Sequence, residues 1–207
     1  MVSCSPENQV LKFDSGNTSE LNYCVVLPPI KEYINQITNQ GIKILVIGTE
    51  NTFTADYLFR KGFTNTHYLN NDSSSIKDFI KRLPHFPSEQ LFCENFFLHS
   101  GKYDLILEQT FFSSLPRSQR YNYVKKVHEL LSEKGKLVGV LFNPEFNTQD
   151  ALSDAIRNEY CLLFKNCFNF MCFEEVYNSL KSEAVSEIFI ILIKKDCVCR
   201  QRLSSKK

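Results

Sequence analysis

Hydrophobic and polar residues alternate in blocks along this chain of 207 residues, and the blocks predict strands and helices in turn. Short apolar runs rich in β-branched residues are typical of buried strands. They predict strands at 43–48, 66–70, 90–92, 103–108 and 136–142. Two further strands are predicted at 168–176 and 187–194, where they would form an antiparallel pair.

Apolar residues at helical spacing predict helices between these strands. The helices would run from Pro28 toward Gly41, over 52–61, from Asp72 as N-cap, from Pro116, and over 159–164. The helix after Pro116 would bury Tyr121, Val124 and Val127. Strands alternating with helices, followed by a hairpin, indicate a doubly wound α/β fold.

The length fits one domain, and the composition along the chain suggests where that domain begins and ends. Residues 1–27 are polar without a clear period and would form an arm or lid. The domain itself would span 28–195, and 196–207 would be a basic, disordered tail.

Charge and cysteine content exclude several classes of protein. Lysine and arginine number 24 against 23 acidic residues, which argues against a nucleic-acid partner held by a broad basic field. No apolar run reaches the roughly 20 residues of a membrane span. Eight cysteines without a secretory signal indicate free thiols in the cytoplasm. Cys197 and Cys199 lack a second Cys or His pair, so no metal site is expected.

Ligands of doubly wound sheets bind at the carboxyl ends of the strands. The first such segment here is Gly48-Thr49-Glu50-Asn51-Thr52. It matches neither the dinucleotide fingerprint G-x-G-x-x-G nor a phosphate-binding P-loop, so a nicotinamide or flavin cofactor is poorly supported.

Several blocks of sequence resemble the thiopurine S-methyltransferase family, in particular its short bacterial members. The most specific block is Tyr-Asp-Leu-Ile-Leu-Glu-Gln-Thr-Phe-Phe at 103–112. Others are Ile-Lys-Ile-Leu-Val-Ile-Gly at 42–48, Gly-Phe-Thr-Asn at 62–65 and Tyr-Val-Lys-Lys-Val-His-Glu-Leu-Leu at 123–131. The resemblance covers residues 28 to 195.

The resemblance implies a monomeric class I methyltransferase with a Rossmann-like seven-stranded sheet. Such a protein transfers the methyl group of S-adenosylmethionine to a small soft nucleophile: a thiol, a thiopurine or a halide. The positions implied for cofactor binding are Gly48, Glu50, Asn70, Asn95 and Gln109. The positions implied near the methyl group and its acceptor are Glu108, Phe111 and Phe112. A thiolate needs little help from a base, so no catalytic histidine is required.

The sequence departs from the family pattern where the cofactor would lie. Glu50 stands where the family has glycine, and Asn70 and Asn95 stand where it has acids. Glu94 or Asp72 would substitute for those acids if the register shifted by one or two residues. The same departures motivate an alternative: an inactive methyltransferase fold that serves as a binding or regulatory module.

Overall fold

The computed structural model describes residues 26–48, 52–109, 111–142, 151–176 and 187–196. Within them, seven strands form one sheet. The strands are β1 (Ile44–Ile47), β2 (Thr66–Asn70), β3 (Leu91–Cys93), β4 (Tyr103–Glu108), β5 (Leu131–Phe142), β6 (Phe168–Glu175) and β7 (Glu187–Lys194). The α-helices are α1 (Pro28–Asn35), α2 (Thr52–Arg60), α3 (Ser73–Arg82), α4 (Phe111–Ser114), α5 (Arg117–Leu130) and α6 (Ala151–Phe164).

The strand order is β3-β2-β1-β4-β5-β7-β6. β1 to β5 pair in parallel, and β7 runs antiparallel to both β5 and β6. The predicted doubly wound sheet with an antiparallel C-terminal hairpin is therefore confirmed. The chain direction across the sheet reverses between β1 and β4, and that switch point is where such folds open a ligand crevice.

Both faces of the sheet are covered, which explains the uninterrupted apolar runs of its strands. Alternate residues of β1 point to opposite sides: Ile44 and Val46 pack with α1, α2 and α3, whereas Leu45 and Ile47 pack with α5 and α6. All four are buried. The carboxyl ends of β1, β2 and β3 are thereby held at one edge of a sheet with hydrophobic packing on both sides.

Most predicted elements are found, with different ends for some of them. β2, β4 and β7 have the predicted bounds. α1 stops at Asn35, before Gly41, and the Asn35 side chain accepts a hydrogen bond from the Tyr57 hydroxyl (2.7 Å). α6 begins at Ala151 rather than at 159, because residues 151–158 contain no glycine or proline to prevent a helix.

The predicted apolar face of α5 is wrong at one position. Tyr121 is 54% exposed, with the Lys125 ammonium 4.5 Å from its ring centroid. Tyr123 is buried instead, beside Val124 and Val127. The prediction for Asp72 is confirmed, since its carboxylate accepts the N–H groups of Ser74 and Ser75 at the start of α3.

Residues 1–25 and 197–207 lie outside the described residues, so the predicted arm and tail stay predictions. No helix among the described residues is long and apolar enough to cross a bilayer.

Candidate functional site

A cleft of about 380 Å³ opens at the carboxyl ends of β1, β2 and β3, and we call it the edge cleft. Its walls are formed by residues 47–48, 69–71 and 94–97 together with Phe111, Leu115, Gln119 and Asn122. The predicted segments that follow three separate strands therefore meet at one site. The contributions of Gln119 and Asn122 from α5 could not be read from the sequence, because they depend on how α5 packs against the sheet.

Gly48 directly follows β1 and lines the edge cleft. Its φ is 129°, which glycine adopts without strain and other residues adopt rarely. Its carbonyl oxygen accepts the Tyr68 hydroxyl at 3.4 Å. The absence of a side chain leaves the backbone itself as the wall of the cleft at this point.

Asn70 ends β2 and is buried beside Gly48. Its Nδ2 donates to the Tyr68 hydroxyl (2.8 Å), and its Oδ1 accepts the N–H of Asp72 (2.9 Å). Burial raises the pKa of Tyr68 to about 12, so the phenol stays protonated. The Asn70 carbonyl oxygen also accepts the N–H of Glu94 (3.2 Å), which joins the ends of β2 and β3.

Asn95 follows β3 and is exposed at the rim of the edge cleft. Its Oδ1 accepts the N–H of Phe97 (2.9 Å), and its carbonyl oxygen accepts the N–H of Leu98 (2.9 Å). The side chain therefore shapes the turn at the end of β3 and presents an amide to the cleft.

Glu94 carries the only charged side chain among the described residues that line the edge cleft. Its Oε1 lies 2.6 Å from Nδ1 of His99. His99 is 1% exposed, and its Nε2 lies 2.7 Å from the hydroxyl of Tyr103. This histidine could not be assigned a role from the sequence, because the loop after β3 has no recognisable pattern.

Glu108 ends β4 but does not line the edge cleft. Its side chain is fully buried, and its Oε2 accepts the N–H of Phe112 (2.8 Å) and the hydroxyl of Tyr123 (3.0 Å). Oε1 has no hydrogen-bond partner among the described residues. Burial raises the pKa of Glu108 to about 7, although these hydrogen bonds act in the opposite direction.

The other predicted residues near β4 are divided between the cleft and the core. Phe111 lines the edge cleft, whereas the ring of Phe112 is fully buried against Tyr123 and α6. Gln109 is also buried, and its Oε1 accepts the Thr54 hydroxyl (3.3 Å). Phe112 and Glu108, which were expected near the methyl group and its acceptor, both turn into the interior and do not line the edge cleft. Glu50 lies outside the described residues.

No protein-family model matches this chain, and no curated protein matches it. Solved structures are similar in fold. The N-methyltransferase NodS from Bradyrhizobium japonicum WM9 is 11% identical, with a TM-score of 0.56 over 82% of this chain and 98% of NodS. The protein MccD is 13% identical, with a TM-score of 0.60 over 80% of this chain and 96% of MccD.

A third similar structure is 1,6-didemethyltoxoflavin-N1-methyltransferase from Burkholderia thailandensis, with bound 1,6-didemethyltoxoflavin and S-adenosylhomocysteine. It is 11% identical, with a TM-score of 0.61 over 82% of this chain and 78% of that enzyme. Identities this low concern the fold alone. The resemblance to thiopurine S-methyltransferases stays a prediction, and the chain has the Rossmann-like fold that these methyltransferases share.

Proposed function

We propose that this chain binds S-adenosylmethionine in the edge cleft and transfers its methyl group to a small soft nucleophile, namely a thiol, a thiopurine or a halide. One observation carries the proposal. Gly48, Asn70 and Asn95, which lie at or just beyond the ends of three different strands, line a single cleft at the switch point of a methyltransferase fold. These are three of the positions at which the family resemblance implies cofactor contacts.

The cleft suits such a ligand in size and in shape. A volume of about 380 Å³ falls in the range of small-molecule sites. The positive φ of Gly48 leaves its backbone open to close approach by a ligand. The solved complexes of NodS and of the toxoflavin methyltransferase with S-adenosylhomocysteine are consistent with this cofactor. When bound, the cofactor supplies an electrophilic methyl group on a sulfonium.

The walls of the edge cleft favour a soft acceptor. Phe96, Phe97 and Phe111 give it an apolar side, which excludes water and orients an uncharged or weakly hydrated molecule. Glu94 is the single ionisable side chain among the described lining residues, and it is paired with His99. A thiolate or halide attacks carbon without a protein base, and a thiol loses its proton to water beforehand.

Binding should be weaker than in a cleft with acids at positions 70 and 95. Each loss of a charge-assisted hydrogen bond costs about 1 kcal/mol, or roughly fivefold in affinity. Asn70 is moreover engaged with Tyr68 and Asp72. We therefore expect a dissociation constant for S-adenosylhomocysteine in the sub-millimolar range.

Calorimetry and thermal unfolding with S-adenosylhomocysteine test the proposal. At a hundred times the dissociation constant, linkage stabilises the protein by about 2.7 kcal/mol, or about 5–10 °C for a domain of this size. The variant N95D restores a carboxylate on the cleft and should tighten binding about fivefold. The variant N169D makes the same change on the exposed side of β6 and should have no effect.

The outcomes separate binding from turnover. Tighter binding by N95D but not N169D would support the edge cleft as the cofactor site, and methyl transfer from labelled cofactor to thiols and halides would then be measured. Absence of binding at several millimolar ligand by folded protein would overturn the proposal. Binding without transfer to any of these acceptors would overturn the proposed methyl transfer.

A further inference from the structure

A second cavity, of about 400 Å³, lies between α1 and the hairpin of β6 and β7. We call it the hairpin groove, and it shares no lining residue with the edge cleft. The proposed methyl transfer makes no use of it. Its α1 side is formed by Pro29, Glu32, Tyr33 and Gln36, and its hairpin side by residues 174–176, Phe189 and Ile191.

The floor of the hairpin groove is an apolar sheet face that the described residues cover only in part. Successive residues of β7 point to opposite faces of the sheet. Ile188, Ile190 and Leu192 are buried on the face that packs with α6, whereas Phe189 and Ile191 on the other face are only partly buried. An apolar surface left partly open in this way is typical of a docking site.

The groove is also lined by three glutamates, Glu32 from α1 and Glu174 and Glu175 from β6, all of them exposed. None of them forms an ion pair with another described residue. Lys31 precedes Glu32, but its ammonium lies 5.9 Å from the ring centroid of Tyr57 on α2. The groove therefore carries negative charge that no ion pair among the described residues neutralises, and it favours a basic partner.

Three segments that adjoin the elements of the groove lie outside the described residues, and their charges differ. Residues 1–25 carry three acids and one lysine, and residues 177–186 carry one acid and one lysine. Residues 197–207, which we call the basic segment, have no acidic side chain and carry Arg200, Arg202, Lys206 and Lys207. Of the three, the basic segment is the one that complements the glutamates.

The basic segment is long enough to reach the hairpin groove. It begins after Asp196, which follows Phe189 by seven residues, so the two lie at most about 23 Å apart. Eleven residues span up to about 36 Å. The segment can therefore turn back along the face of β7 and bring its charges beside Glu174, which pairs with Phe189 in the sheet.

We propose that the basic segment docks in the hairpin groove of its own chain, with its arginines and lysines against the three glutamates. Val198 and Leu203 supply apolar side chains for the floor formed by Phe189 and Ile191. This inference goes beyond the proposed function and does not depend on it. It also departs from the expectation, drawn from composition, that residues 196–207 are disordered.

Trypsin cleaves after arginine, so cleavage of the full chain at Arg200 and Arg202 reports whether the basic segment is docked. Mass spectrometry measures how fast chains ending at these two residues appear, and a synthetic peptide of residues 197–207 gives the rate for the undocked sequence. Cleavage of the full chain should be about tenfold slower than cleavage of the peptide. In 1 M NaCl, where the Debye length is about 3 Å, the two rates should converge.

Matched variants locate the docking site. E32Q/E174Q/E175Q removes the charge of the groove and keeps the shape of its side chains, so cleavage should approach the rate of the peptide. E89Q/E129Q/E133Q removes three charges from exposed glutamates that do not line the groove, and cleavage should stay as slow as in wild type. Thermal unfolding checks that each variant is folded.

Three outcomes would overturn the inference. Wild type cleaved as fast as the peptide at low salt would mean that the basic segment is not docked. Equal effects of the two triple variants would assign the protection to overall charge and not to the groove. Protection that grows with protein concentration would mean that the segment of a second copy occupies the groove. No cofactor is present in these measurements, so their result is independent of whether the edge cleft binds S-adenosylmethionine.

Discussion

The Glu108 side chain occupies space that a side chain on the neighbouring strand would otherwise fill. Glu108 pairs with Gly139 of β5 in the sheet. A Cβ on Gly139 would lie 2.8 Å from Cγ of Glu108 and would also collide with the Glu108 carbonyl oxygen. The carboxyl group is thereby accommodated at the C-terminal end of β4, where Tyr123 and the N–H of Phe112 hold one of its oxygens.

The first prediction concerns this close approach. G139A should lower the free energy of unfolding by about 1–3 kcal/mol, because the added methyl group meets backbone as well as side chain. Urea denaturation measures the change. The matched variant G41A, whose Cβ would meet only the Asn39 side chain at 3.3 Å, should change stability by less than about 0.5 kcal/mol. Equal effects of the two substitutions would contradict the prediction.

The second prediction concerns the proton on Glu108. Burial raises its pKa from 4.5 to about 7, so between these values the folded protein binds more protons than the unfolded chain. The stability of wild type relative to E108Q should therefore fall as pH rises from about 4.5 to about 7, by about 3 kcal/mol, and level off above. Urea denaturation of both proteins at pH 5 and pH 8 measures it. A constant difference between them would refute the raised pKa.

Some positions of the candidate site could be predicted from the sequence and others could not. Gly48, Asn70 and Asn95 reach the cleft because each lies at or just beyond the end of a parallel strand, and strand ends are local features. The burial of Glu108 depends on a glycine 31 residues away on another strand, and the position of Glu94 depends on His99. Such pairings are properties of the folded sheet, and no local pattern indicates them.

At the level of elements, α5 shows how tertiary packing selects one face of a helix. Tyr121 and Tyr123 are two residues apart and hence on different sides of the helix. Tyr123 packs against Phe96 and Phe112, with centroids 5.3 and 5.2 Å away, and donates its hydroxyl to Glu108. The apolar spacing in the sequence is compatible with burial of either tyrosine. The hydrogen bond to the buried Glu108 carboxyl group favours burial of Tyr123.

The third prediction separates these two tyrosines. Y123A should lower the free energy of unfolding by about 3–5 kcal/mol, since it leaves a cavity and removes a donor from a buried carboxyl group. Y121A should change it by less than about 0.5 kcal/mol, because that ring lies at the surface. Urea denaturation again gives both values. Comparable losses for the two variants would mean that α5 is rotated from its position here.

Element boundaries were predicted best where the pattern is continuous. β4 and β7 each contain a continuous apolar run with charged residues next to it, so their ends are visible in the sequence. The end of α1 was placed too far along the chain, because Ile37 continues the helical spacing although it packs onto the core from outside the helix. Spacing alone does not tell a helical residue from one that follows the helix and packs beside it.

For the whole molecule, the sheet contributes residues to the hydrophobic packing on both of its faces. Strands β1, β4 and β5 lie at its centre, and the interior residues of β1 and β4 are almost all buried. β3 lies at one edge, is three residues long and is partly exposed. The wall of the edge cleft at β1 is therefore fully buried, whereas its wall at β3 is partly exposed.

The fourth prediction follows from this difference in burial between the central strands and β3. Amide hydrogens of β1 and β4 should exchange most slowly, at rates set by global unfolding, whereas those of β3 should exchange faster through local opening. Hydrogen exchange followed by mass spectrometry measures both. Ligand bound in the edge cleft should slow exchange in β3 more than in β4. Equal protection of β3 and β4 without ligand would refute the predicted local opening of β3.

The close packing of Glu108 on Gly139 also has a consequence for how sequences of this kind can diverge. A Cβ at position 139 would meet the backbone oxygen of residue 108 as well as the Cγ of Glu108, so glycine is needed at 139 whatever side chain stands at 108. Among relatives of this chain with the same strand pairing, glycine at 139 should therefore persist while residue 108 varies. Glycine at 139 in a new sequence would then indicate the close approach of these two strands, and not the presence of a buried acid.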